Sequence, residues 1–137
     1  MQSANLFDLL TFLNQKCSQT EEIIQGKLQL SRAEYRALRI VGSAEKVTCK
    51  QLSQRMRLSP SRGSRVVDRL YQKGYVNRED CHTDRRCKTV WLTRKGMMIK
   101  EKIVERLSEC EKRFLDHYPA GKIEDLKKSI VELTDKI

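Results

Sequence analysis

Long apolar runs are missing from this chain of 137 residues. No stretch approaches the roughly 18 apolar residues that a membrane span requires. The segment Met1–Asn5 lacks the basic residues and the apolar stretch of a secretory signal. We therefore expect a cytoplasmic protein with no membrane partner.

The motifs of common enzyme classes are also missing. The sequence has no glycine-rich phosphate loop, no G-x-S-x-G motif and no C-x-x-C pair. The two histidines, His82 and His117, have no evident partner for a catalytic triad. These gaps argue against an enzyme such as a thiol oxidoreductase, and we expect no cofactor and no bound metal.

Cysteines are few and odd in number, and they are Cys17, Cys49, Cys81, Cys87 and Cys110. An odd set without regular spacing, in a reducing compartment, argues against a disulfide framework. Most of these residues are expected to be packed as small apolar side chains or to remain ordinary surface thiols.

The periodic segments predict a mainly α protein with a small β-hairpin, built as one domain over residues 1–137. Helical apolar spacing covers the two ends of the chain, residues 1–29 and 97–137, and capping patterns start three shorter helices between them. Two β-prone runs, residues 75–80 and 87–92, flank a polar turn and predict a hairpin. The central lobe, residues 30–96, is therefore predicted to contain a helix-turn-helix followed by a hairpin.

Positive charge is concentrated in that lobe. Fourteen of the 28 Lys and Arg residues lie between Glu45 and Lys95, with five acidic residues, so this window carries +9 (14 − 5) of the net +10. A local field of this size attracts polyanions, and a helix with a hairpin is suited to duplex DNA. Double-stranded DNA is therefore the expected partner.

The helix that begins at Pro60 has one basic face. Val66, Val67 and Leu70 are predicted to face the core, because steps of three and four residues share a helix face. The residues predicted to contact DNA from this helix are Ser59, Ser61, Arg62, Ser64, Arg65 and Arg69. Gly63 suggests a close approach to the DNA backbone or to the preceding helix. An ordinary solvated basic face is the alternative.

The hairpin adds a second basic element. Arg85 and Arg86 stand at its tip with Lys88 beside them, and this set suits a narrow minor groove. Asp84 is expected to pair with a neighbouring arginine and to hold the tip in shape.

The helices at the two ends carry narrow apolar stripes backed by charged residues. The central lobe has too little surface to cover them, so we expect a homodimer that buries them between two chains. A compact monomeric bundle is the alternative.

Several segments of the lobe resemble the multiple-antibiotic-resistance regulator (MarR) family. The matching segments are residues 30–38, 51–61, 67–70 and 73–76 and the tip motif Asp84-Arg85-Arg86 ahead of residues 92–96. The resemblance implies a winged helix-turn-helix, flanked by dimerisation helices, that binds a palindromic operator as a homodimer and usually represses. It matches Arg86 to the arginine that enters the minor groove and Asp84 to its brace.

Three forms of control remain open. Family members often bind small aromatic ligands, for which Phe7, Phe12, Tyr35 and Met56 are candidates, although aromatics at helical spacing more often form core. Cys17 is a redox candidate because one branch of the family senses peroxides through a cysteine of the first helix. A zinc site among Cys81, His82, Asp84 and Cys87 matches no standard spacing.

One further class competes with DNA binding. Some winged-helix modules bind protein instead, but such modules need no concentrated basic hairpin. The charge of the window therefore favours DNA, and repression is favoured over activation by the resemblance alone.

Overall fold

The computed structural model describes residues 4–81 and 87–137. Within these ranges it contains six helices, namely α1 (Leu6–Leu28), α2 (Arg32–Ile40), α3 (Cys49–Met56), α4 (Pro60–Gln72), α5 (Arg94–Asp116) and α6 (Ala120–Asp135). The same ranges contain three strands, β1 (Val47–Thr48), β2 (Val76–Asp80) and β3 (Lys88–Leu92). The prediction of a mainly α protein with a small hairpin is confirmed.

The chain forms two compact units. The first, Met1–Ile103, contains α1 to α4, the three strands and the start of α5. The second, Val104–Ile137, contains the rest of α5 and α6.

Helices α2, α3 and α4 begin where their capping residues predict. Ser31 and Glu34 form a reciprocal capping box on α2, and the same pattern on α3 was also predicted and is present. Ser59 caps α4 and Pro60 occupies its first turn. These side chains satisfy backbone N–H groups that have no partner within the helix.

The strands form an antiparallel sheet in the order β1-β3-β2 within the described ranges. β2 pairs with β3 from Val76 opposite Leu92 to Asp80 opposite Lys88, which confirms the predicted hairpin. β1 was not predicted, because a strand of two residues is too short to show an alternating pattern. Its Val47 lies opposite Val90 on β3.

The core lies between α2, α3, α4 and the sheet. Val66, Val67 and Leu70 of α4 are buried, so the predicted core face of this helix is confirmed. Gly63 packs directly on α3, since a Cβ at this position would lie 1.8 Å from the Ser53 Oγ atom. The sequence expectation of a close approach to the preceding helix is therefore confirmed.

The expectation that the cysteines form no disulfide is wrong for one pair. Cys81 and Cys87 are disulfide-bonded, whereas Cys17, Cys49 and Cys110 are not part of this bond. Spacing rules missed the bond because the hairpin register sets it. Asp80 lies opposite Lys88, and Cys81 comes directly after Asp80 while Cys87 comes directly before Lys88, so the two cysteines form the next opposed pair. The Cα atoms of the two cysteines are 5.2 Å apart, within the usual range for a disulfide.

The terminal helices bury few side chains. Within the described ranges, Ile24 is the one buried residue of α1, and α6 has none. Large apolar side chains on these two helices are exposed, including Leu6, Phe7, Leu9, Phe12, Leu13, Ile23, Leu126, Ile130 and Val131. No helix of the described ranges combines the length and the apolar character needed to cross a membrane.

Candidate nucleic-acid interface

The start of α4 presents small hydroxyl groups and exposed arginines. The Ser59 hydroxyl accepts a hydrogen bond from the Arg62 backbone N–H at 3.3 Å, and it lies 3.3 Å from the Ser61 hydroxyl. Ser59 therefore caps the helix in addition to its predicted contact with DNA. The free N–H groups and the dipole of a helix N-terminus favour a negative ligand such as phosphate.

The outer face of α4 is basic and exposed. The predicted DNA-contacting residues on it are all exposed, namely Ser61, Arg62, Ser64, Arg65 and Arg69. The predicted division of this helix into a core face and a polar face is confirmed by burial. The first two turns offer both hydrogen-bond donors and positive charge.

Acidic residues near this face are neutralised by other cations. Asp68 pairs with Arg78, whose guanidinium also lies over the Tyr71 ring, 4.2 Å from its centroid. No acid among the described residues pairs with Arg62 or Arg65. These two arginines therefore keep an uncompensated charge within the part of the chain that the structure describes.

The hairpin contributes a cation, Lys88, that is paired with an acidic residue. Lys88 on β3 pairs with Asp80 on β2 at 3.1 Å, and both side chains are exposed. Asp84, Arg85 and Arg86 lie outside the described residues, so their predicted roles remain predictions.

An ion pair between the half-exposed Lys73 and the buried Glu34 secures the C-terminal end of α4. The Lys73 ammonium lies 2.8 Å from the Glu34 carboxylate and donates to the Gln29 carbonyl at 2.9 Å. Burial raises the pKa of Glu34, but hydrogen bonds from Lys73 and Ser31 outweigh it, so the pKa is lowered overall. Sequence reasoning missed this pair, because residues 39 positions apart share no local pattern.

A second lysine ties α5 to α2. The Lys100 ammonium donates to the carbonyl oxygens of Leu38, Arg39 and Val41 at 3.0, 3.0 and 2.6 Å. It thereby satisfies free carbonyl groups at the end of α2. Burial is the main cause that lowers the pKa of Lys100.

An open cavity of about 450 Å³ lies between α1 and α2. Its lining includes Tyr35 and three arginines, Arg32, Arg36 and Arg39. Burial, with the Glu21 carboxylate beside it, raises the pKa of Tyr35 to about 12. The Tyr35 hydroxyl is buried and has no hydrogen bond of normal geometry within the described ranges.

The other predicted ligand residues lie elsewhere. Phe7 and Phe12 are exposed on α1, and Met56 is buried on α3. The structure therefore brings Tyr35 to the cavity without the other three candidates. The three arginines had no signal in the sequence beyond their helical spacing on α2.

Two cysteines outside the disulfide differ in their surroundings. Cys17 is exposed on α1. Burial raises the pKa of the Cys49 thiol, which makes this thiol less reactive at neutral pH. No cluster of three or more potential metal ligands occurs among the described residues.

The helix-turn-helix, the three-stranded sheet and the basic outer face of α4 define a winged-helix protein of the DNA-binding class. Residues 30–88 match the MarR family model. This lobe thus resembles the MarR family, and the relatives to which the chain is similar are named as transcriptional regulators.

Individual relatives are distant in sequence. The HTH-type transcriptional regulator PapX of Escherichia coli is 26% identical over 112 residues, which span 80% of this chain and 66% of PapX. The chain thus matches just under two thirds of the length of that relative. PapX is named as a regulator and not as an enzyme.

Solved structures show the same fold. Wild-type MarR of E. coli in its apo form has a TM-score of 0.79 at 22% identity, with 95% of this chain and 96% of that chain covered. FabT of Streptococcus pneumoniae, solved in complex with DNA, has a TM-score of 0.78 at 21% identity, with 96% of each chain covered.

Proposed function

We propose that this protein is a sequence-specific repressor that binds a palindromic operator in double-stranded DNA as a homodimer. The observation that carries the proposal is the exposed outer face of α4, where Arg62 and Arg65 have no acidic partner among the described residues. FabT, which shares the fold, was solved in complex with DNA, and this supports the same use of the fold here.

In this mechanism the N-terminal half of α4 enters the major groove. Arg62 and Arg65 are suited to bidentate hydrogen bonds with guanine, and Ser61 and Ser64 can reach phosphate or base edges. Ser59 and the first backbone N–H groups of the helix hold a phosphate and set the register of the helix on the duplex.

The hairpin provides the second contact. Arg86, assisted by Arg85 and braced by Asp84, inserts into the adjacent minor groove, where a narrow groove concentrates negative potential. Lys88 contacts the DNA backbone from the base of the hairpin. Its ion pair with Asp80 is replaced by one with a phosphate. Arg69 contacts the backbone from the far end of α4.

The terminal helices support the dimer. Most of the stability of a helix in a protein comes from packing of its apolar face, and α6 has 16 residues with none buried in the described chain. Leu126 and Ile130 are 42% and 48% exposed. A second copy that covers these stripes and those of α1 would stabilise both chains.

We further propose that a small aromatic anion controls DNA binding in the cytoplasm. The cavity between α1 and α2 is lined by Arg32 and Arg36 beside the ring of Tyr35, and these are groups that recognise a carboxylate attached to a ring. Glu21 and Glu22 also line the cavity, and Glu21 pairs with Arg39 at 3.4 Å. Phe7, Phe12 and Met56 remain candidates for contacts made in another conformation or with the partner copy. Repression follows if the occupied operator excludes transcription.

The test is an affinity series on duplex from the region upstream of the chain's own coding sequence. Arg62→Ala is expected to weaken binding by about 1–3 kcal/mol. Lys112→Ala is the matched control, because Lys112 is exposed on α5 in the second unit and is expected to leave affinity unchanged. Affinity for the wild-type chain should also fall steeply with salt, with a log–log slope of about −0.9 per phosphate contacted.

Equal affinity of Arg62→Ala and the wild-type chain would remove α4 from the mechanism. A flat response to salt would contradict the electrostatic basis of binding.

A further inference from the structure

The disulfide between Cys81 and Cys87 stands at the base of the hairpin that carries the basic tip. The two residues continue the β2–β3 ladder beyond Asp80 and Lys88, and the Cys81 N–H donates to the Cys87 carbonyl at 2.9 Å. Because this backbone pairing is independent of the sulfur atoms, the hairpin stem can hold the two cysteines opposite each other in either oxidation state. Reduction and reoxidation therefore require no rearrangement of the described strands.

Reagents can reach this pair. Cys81 and Cys87 are both half-buried, and the neighbouring side chains of Asp80 and Lys88 are exposed. The Thr89 hydroxyl lies 3.4 Å from the Cys81 sulfur. The pair therefore lies among polar groups at the surface of the hairpin stem, where a thiol or a peroxide can approach it.

The position of the pair links its oxidation state to the DNA contact. Residues 82–86, which include Arg85 and Arg86, are the whole segment between the two cysteines. The disulfide fixes the distance between the two cysteines that bound this segment. In the dithiol form, the two cysteines are joined by the backbone hydrogen bond alone. A closed loop loses less conformational freedom when it docks, and preorganisation of this kind increases affinity.

We propose that Cys81 and Cys87 form a reversible thiol–disulfide site, that the disulfide increases affinity for operator DNA and that reduction weakens it. The affinity effect rests on the proposed function, since it acts through the hairpin contact. The site differs from the free cysteine Cys17 of α1, which the bond does not involve.

The chemistry balances with simple reagents. In reduction, a dithiol reagent forms a mixed disulfide with one cysteine and releases the other as a thiolate, which takes up a proton. The second thiol of the reagent then releases the first cysteine, so two electrons and two protons pass to the protein and the reagent becomes a cyclic disulfide.

In oxidation, a peroxide transfers one oxygen atom to one cysteine thiolate, which becomes a sulfenic acid. The other oxygen of the peroxide takes up a proton and leaves as water or an alcohol. The other cysteine attacks the sulfenic sulfur, and the hydroxyl group leaves as water.

The first measurement counts free thiols in the folded chain. Thiols are alkylated and counted by mass spectrometry, once in the oxidised protein and once after treatment with dithiothreitol. Of the five cysteines, three should be alkylated in the oxidised protein and five in the reduced protein. Five alkylated residues in both states would show that the bond does not form and would overturn the proposal.

The second measurement compares the affinity of both forms for the upstream duplex. Reduction should weaken binding about fivefold to tenfold, the order expected when a closed loop loses its preorganisation. The double variant Cys81→Ser, Cys87→Ser should bind like the reduced protein with or without dithiothreitol. The triple variant Cys17→Ser, Cys49→Ser, Cys110→Ser is the matched control and should keep the full response.

Equal affinity of the two forms would overturn the switch and leave the proposed function standing. A response that disappears in the triple variant and persists in the double variant would assign redox control to other cysteines and overturn this site. Failure of every form to bind duplex at low salt would overturn the proposed function itself, and the affinity effect with it.

Discussion

The winged-helix lobe and the terminal helices both carry apolar residues at helical spacing, but these residues are buried in the lobe and mostly exposed on the terminal helices. Nearly all buried apolar residues lie between Leu30 and Leu92, with Ile24 and Ile103 as the exceptions among the described residues. Within the same ranges α6 buries none. An apolar stripe is covered in the lobe by neighbouring elements of the chain, whereas the stripes of α1 and α6 stay exposed. The lobe thus completes its own core, whereas the terminal helices leave apolar stripes that the proposed dimer would cover.

A charge placed on the exposed stripe of α6 should produce the largest effect. Ile130→Asp would bury an unpaired carboxylate in the proposed dimer interface, and we expect the dimer to weaken by about 3–5 kcal/mol. Analytical ultracentrifugation measures the change. The lobe should keep its helical content, because Ile130 is 48% exposed in the single chain.

Ser129→Asp adds the same charge at the adjacent exposed position of α6 and serves as the control. It should leave the dimer intact. Unchanged sedimentation of Ile130→Asp would show that this stripe is not an interface.

Glycine substitutions test the difference in packing between the lobe and α1, with a smaller expected effect. Gly63→Ala should lower the free energy of unfolding by about 1–3 kcal/mol, because its Cβ would lie 1.8 Å from the Ser53 Oγ atom and force α3 and α4 apart. Gly26→Ala on α1 is the control, since nothing lies within 4 Å of its Cβ. It should stabilise the protein by about 0.5–1 kcal/mol through helix propensity.

Urea denaturation measures both variants. Effects of opposite sign are expected, with the larger change for Gly63→Ala, and a neutral Gly63→Ala would mean that the two helices are not packed as tightly as the structure shows.

Acid titration should reveal a smaller difference between the two regions. The pKa of Glu34 is lowered in the folded protein, so its ionised form stabilises the fold above its ordinary pKa of 4.5, and this contribution is lost as pH falls through the lower folded value. Glu34→Gln should cost about 1–2 kcal/mol at pH 7. The cost should shrink below about pH 4.

Glu132→Gln on α6 is the control, because Glu132 is exposed and should show no such dependence. Thermal unfolding at several pH values measures both. A constant cost of Glu34→Gln from pH 7 to pH 3 would contradict the ionised pair with Lys73.

Local chemistry allowed much of this fold to be predicted. Ser31, Thr48 and Ser59 start helices through hydrogen bonds to residues three positions away, and such signals are visible in any short window. The two faces of α4 follow from helical periodicity in the same way. The exposed basic surface of α4 was predictable because it depends on the periodicity of one helix and its charge.

The features that escaped prediction depend on contacts between distant parts of the chain. Glu34 meets Lys73, and Lys100 meets the end of α2 across about 60 positions. Cys81 and Cys87 are close in sequence, but their bond follows from the β2–β3 register and not from a spacing rule. Residue composition carries no record of such pairings.

Hydroxyl-radical footprinting of the upstream duplex, with the number of bound chains measured on the same complex, tests whether two chains bind the operator symmetrically. Two chains should protect two symmetrical half-sites centred about one helical turn, roughly 10 bp, apart. A single chain that protects one unsymmetrical site would contradict the symmetrical dimer.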